Sequence, residues 1–68
     1  MVNTQMLLER MREKGISQEK LANMCSVKRP TMNQKLHNVR PISLNEAQII
    51  QEALQIPQDE FGAYFFTA

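Results

Sequence analysis

A single cysteine, Cys25, stands among the 68 residues, so no disulfide can close within the chain. No group of cysteines and histidines has metal-ligand spacing either, which leaves no structural metal to expect. Chains this short seldom bury enough apolar surface unaided, and with those two supports excluded, self-association remains. No stretch approaches the roughly 20 apolar residues of a membrane span, and none reads as a signal peptide. A reducing cytoplasm is therefore the expected setting. Strand-like alternation, internal repeats and low-complexity tracts are also missing. The expectation is an all-α fold in one domain over residues 1–68.

Charge is missing in an organised way. No acidic residue occurs from Lys20 through Asn45, and no basic one follows Arg40. Residues 1–40 carry Arg10, Arg12, Lys14, Lys20, Lys28, Arg29, Lys35 and Arg40 against Glu9, Glu13 and Glu19, an excess of five positive charges. Residues 41–68 carry only Glu46, Glu52, Asp59 and Glu60. A formal net charge of +1 hides a molecule with a basic half and an acidic half. Such asymmetry points to a polyanionic partner, although ordinary solvated charge is the alternative for so short a run. Aromatics are absent until the last eight residues, which hold Phe61, Tyr64, Phe65 and Phe66.

Five helices can be read from the remainder. Asn3 or Thr4 caps a first helix over about residues 4–14, with Leu7, Leu8 and Met11 on its apolar face, and Gly15 supplies a left-handed stop. Ser17 caps a second helix from Gln18 to about Cys25, with Leu21, Met24 and Cys25 inward and a small Ala22 that lets the next helix approach. Ser26 and Val27 make a turn. Arg29 is the expected cap and Pro30 the first residue of a third helix, with Met32 and Leu36 inward. Ser43-Leu44-Asn45-Glu46 matches a capping box for a fourth helix, whose buried side is expected to hold Leu44, Ala47, Ile50 and Leu54. Pro57 opens a fifth, in which Phe61, Tyr64 and Phe65 share a face and Phe66 points elsewhere.

The second and third helices, about residues 17–37, have the form of a helix-turn-helix, a shape suited to the DNA major groove. The outward side of the third helix carries Arg29, Asn33, Gln34 and His37, with Lys28, Pro30 and Lys35 flanking. Arg29 suits the O6 and N7 of guanine, Gln34 or Asn33 the N6 and N7 of adenine, and Pro30 a thymine methyl. Gln18, Lys28, Lys35, His37 and Arg40 are expected to position the domain on phosphates. Ser17 has a sufficient role as a cap. Lone Cys25 and His37 do not suggest a nucleophile–base pair, the carboxylates are expected to face solvent, and Met6, Met11, Met24 and Met32 suit core filling rather than metal binding. No enzyme, cofactor or small-molecule ligand is expected.

Taken together, S-Q-E-K-L-A, the break at Ser26-Val27, T-M-N-Q-K-L and P-I-S-L-N-E-A resemble the lambda-repressor-like helix-turn-helix family. The chain is most similar there to the short Cro-like repressors of temperate phages, and its Q-I-P-Q-D-E-F and Y-F-F ending looks like that subgroup too. The resemblance covers about residues 6–66. It implies a compact five-helix domain, cytoplasmic in a bacterial host, that dimerises on a double-stranded operator and represses by excluding polymerase. It also implies that Gln18 meets phosphate, that Arg29, Pro30 and Gln34 fall where bases are read, and that Arg40 lies in a backbone-contacting loop. Two departures stand out. Ser26 occupies a turn position where glycine is usual, and Met11 and Leu36 stand where some relatives carry an arginine–glutamate pair. Phe61, Tyr64, Phe65 and Phe66 are candidates for the dimer contact, the alternative being a tail folded back on the first and fourth helices. A protein-interaction module, an antirepressor or antitoxin using that aromatic end, is the competing function.

Overall fold

Helix starts follow from local side-chain caps. In the computed structural model, which describes residues 1–67, Asn3 accepts a hydrogen bond from the Met6 N–H at 3.1 Å and opens α1 (Thr4–Lys14). Ser17 accepts from Lys20 N–H at 3.1 Å and opens α2 (Gln18–Met24). Ser43 and Glu46 complete a reciprocal capping box for α4 (Leu44–Ala53), at 3.1 and 2.9 Å. α3 (Arg29–Leu36) starts without a side-chain cap. Here Lys28, not Arg29, is the extended capping residue, and Pro30 is the second helical residue rather than the first. Proline's missing N–H still has no intrahelical partner to lose there. Pro57 precedes a 3-10 turn (Gln58–Glu60) that leads into α5 (Phe61–Phe65). Ala68, the end of the expected domain, lies outside the described residues.

Helix ends share one device. After each of α1 to α4 a residue adopts a left-handed backbone: Gly15 at φ 67°, Ser26 at 58°, Asn38 at 63° and Gln55 at 54°. Each donates its N–H to the carbonyl three residues back, and the next residue, Ile16, Val27, Val39 or Ile56, donates to the carbonyl five back. This is the Schellman closure, which satisfies carbonyls left open at a helix terminus. Ser26 therefore takes up the left-handed backbone itself despite its β-carbon.

The core joins Leu7 and Met11 of α1, Leu21 and Ala22 of α2, Met32 and Leu36 of α3, and Ala47 and Ile50 of α4, with Leu54 and Ile56 following. Tyr64 and Phe65 close it from α5, so the aromatic tail folds back into the monomer. The chain ends are stitched together: Asn3 N–H donates to the Tyr64 carbonyl at 2.8 Å, and Thr67 N–H to that of Met1 at 2.9 Å. Val2, which has no helical period to announce it, is buried as well. Its backbone is clasped by the Asn38 amide, which accepts from Val2 N–H at 2.9 Å and donates to its carbonyl at 3.0 Å.

Several expected positions are corrected by the packing. Met24 is 43% exposed and Leu44 61% exposed, because each lies at the edge of its stripe where no other segment covers it. Cys25 is half-buried against the core; burial pushes its thiol pKa up, the Glu46 charge adds to this and Lys35 opposes it. Glu46 does not face solvent; it is 9% exposed and held by Lys35 and Ser43. Arg10 reaches across from α1 to donate to the carbonyls of Leu54 and Gln55 after α4. Among the described residues no helix is long and apolar enough to cross a membrane.

Candidate nucleic-acid interface

α3 buries Met32 and Leu36 and thereby commits its other side outward. Lys28, Arg29, Pro30, Asn33 and His37 are exposed, as is Arg40 in the loop that follows. Gln34 is half-buried although it lies opposite the buried stripe. The cover comes from Arg40, whose Nε donates to Gln34 Oε1 at 2.6 Å. Gln18, at the start of α2, is also half-buried, and its Oε1 accepts from Asn33 Nδ2 at 3.1 Å. That bond ties the first turn of α2 to the middle of α3. Ser17 is occupied as a cap through its Oγ.

His37 closes α3. Its Nδ1 lies 2.9 Å from the Asn33 carbonyl oxygen, and a carbonyl can only accept, so Nδ1 carries the hydrogen. Nε2 is then the ring nitrogen left for an outside partner, an acceptor in the neutral ring and a donor in the protonated one.

One expected phosphate contact is spent inside the molecule. Lys35 Nζ sits 2.7 Å from both carboxylate oxygens of Glu46, with side chains only 15% and 11% exposed. Burial by itself works to raise the Glu46 pKa. Hydrogen bonds from Lys35 and Ser43, with the lysine charge, outweigh it and hold the carboxyl below its ordinary value. Lys35 therefore fixes α3 to the start of α4 instead of offering a free charge. The sequence hid this because eleven positions and a loop separate the partners. The exposed basic set around α3 reduces to Lys28, Arg29 and Arg40.

The four candidates for a dimer contact divide. Tyr64 and Phe65 are 6% and 4% exposed and belong to the monomer core, so they are withdrawn from that role. Phe61 is half-buried, with its ring centroid 4.8 Å from that of Phe65 and 5.6 Å from that of Phe66, both pairs tilted. Phe66 is exposed, and with Met1, Val39, Pro41 and the polar Asn38 and Arg40 it rims a groove of about 370 Å³ floored by Val2, Ile42, Ala47 and Phe65. Neither Val39 nor Val2 lies in a helical period that would mark it in the sequence. Val39 follows the left-handed Asn38 as Ile16, Val27 and Ile56 follow theirs, but it is left 69% exposed where those three pack inward. Among the described residues no group of histidine, cysteine, aspartate and glutamate could hold a metal ion. No family model matches the chain, and neither a curated protein nor a solved structure does.

Proposed function

We propose that the chain is a sequence-specific repressor that binds double-stranded DNA, a Cro-like member of the lambda-repressor-like helix-turn-helix family. The observation that carries this is the outer side of α3. Arg29, Pro30, Asn33 and His37 are left free of core packing, flanked by the cations of Lys28 and Arg40, with no carboxylate of their own helix among them. In this reading α3 enters the major groove, Arg29 contacts a guanine and Asn33 an adenine, with Pro30 against a thymine methyl. Lys28, Gln18 and His37 hold phosphates and set the register. Lys35 has no part in DNA contact.

A dimer belongs to the proposal for a geometric reason. Half-sites one helical turn apart are separated by roughly 34 Å. The protomer measures 29 × 24 × 20 Å, too small for one copy to read two of them. The apolar side of the groove, formed by Met1, Val39 and Phe66, is the surface offered to a second copy. The same patch supports the competing reading, in which an antirepressor or antitoxin docks a different protein there.

Selection from a random DNA pool, followed by titration of the selected site at several salt concentrations, tests the assignment. A repressor yields a two-half-site consensus and a steep loss of affinity with salt. Absence of DNA affinity alongside tight capture of a protein on the Phe66 patch overturns it in favour of the interaction module.

A further inference from the structure

The inference concerns the pairing of Gln34 with Arg40, and it rests on the DNA-binding reading above. A guanidinium Nε can only donate, so the atom of Gln34 that it meets at 2.6 Å must be the carbonyl oxygen. The amide orientation is thereby dictated by chemistry, and the Gln34 NH₂ is the end left for a base. The pairing is prepared by the backbone. The Gln34 carbonyl accepts from Val39 N–H at 2.8 Å and from Arg40 N–H at 3.3 Å, folding the loop back over this residue. Asn38, whose left-handed turn makes the reversal, is itself clasped to Val2.

An amide that reads adenine must present one acceptor, to N6, and one donor, to N7. Asn33 is braced to Gln18 through its nitrogen and keeps its carbonyl oxygen for that purpose. Gln34 is braced through its oxygen and turns donors outward. The remaining lone pair of that oxygen lies beside a full positive charge, which disfavours the partly positive amino group of adenine. Guanine presents two acceptors, N7 and O6. We propose that Gln34 and Arg40 form one donor-only reading pair that selects guanine over adenine, with Arg40 setting specificity rather than holding a phosphate. The two adjacent amides of α3 then read opposite purines, and the adenine role expected of Gln34 falls to Asn33 alone.

Comparing the selected half-sites of the wild type, Gln34→Ala and Arg40→Lys tests the pair. Gln34→Ala identifies the base position concerned, which is expected to be guanine in the wild type. Arg40→Lys keeps the charge but loses the planar Nε donor. It is expected to cut the guanine-over-adenine preference at that position about tenfold, within the range of a bidentate contact. The salt slope and the melting temperature stay unchanged, and Arg40→Lys adds no further loss there in the Gln34→Ala background. An adenine at that position in the wild type, or an even loss across all sequences in Arg40→Lys, overturns the pair and leaves DNA binding standing. A wild type without DNA affinity overturns both.

Discussion

Backbone conformation at four single residues decides how four helices end, and the residue type sets the local stability. Ser26 carries a β-carbon in left-handed backbone, a strain of roughly 1–2 kcal/mol that glycine escapes. Ser26→Gly is expected to stabilise the protein by about 0.5–1 kcal/mol, read as a higher urea midpoint. Asn38→Gly, at nearly the same φ, is expected to destabilise it, because the amide that clasps Val2 is lost. Gly15→Ala costs about 1 kcal/mol from backbone strain alone, since a β-carbon there meets nothing within 4 Å. Lys28, which precedes α3, and Lys35 within it part company at this scale. If the proposed DNA binding holds, Lys28→Ala is expected to reduce the magnitude of its salt slope by roughly 0.9. Lys35→Met leaves the slope unchanged and lowers stability instead, as Glu46 loses its partner.

Between elements, polar contacts far apart in sequence hold α3 at a defined angle to the rest. The Lys35–Glu46 pair joins α3 to α4, and the depressed Glu46 pKa makes this joint sensitive to acid. A carboxyl with a lower pKa folded than unfolded stabilises above its ordinary value of about 4.5, and that contribution is lost as pH falls through the lowered folded value. Thermal unfolding between pH 6 and 2 is expected to show this loss. Glu46→Gln removes that part of the acid dependence and costs about 2 kcal/mol at neutral pH through the weakened charged hydrogen bonds. The starts of α1, α2 and α4 were legible because Asn3, Ser17 and Ser43 bond within three residues of themselves. The end of α1 was legible at Gly15 and that of α2 at the Ser26-Val27 turn, but the left-handed conformation itself was marked only by the glycine. Ser26, Asn38 and Gln55 do not announce a positive φ, although each is followed by Val or Ile, the residue that turns back after the closure.

At the scale of the molecule, the aromatic ending is divided between core and surface. Phe65 completes the core beside the N-terminal segment, and Phe65→Ala is expected to cost about 3–5 kcal/mol, enough to unfold so small a protein. Phe66 is two-thirds exposed, and Phe66→Ala is expected to leave the melting temperature within about 2 °C of the wild type while weakening self-association, measured by sedimentation. Equal melting temperatures with undiminished association would remove Phe66 from the contact.

What the amino-acid order settled by itself was whatever depends on neighbours within a turn of helix. That includes the helical period, the three side-chain caps, the outward place of Arg29 and Asn33, and the exposure of Phe66, although its ring still meets that of Phe61. Folding decided the rest. It buried Glu46 beneath Lys35, bent Arg40 onto Gln34, sent Arg10 to close α4, and took Tyr64 and Phe65 into the core while exposing Met24 and Leu44. Each of these pairs groups on different segments, and which segments meet is a property of the packed core rather than of any local pattern.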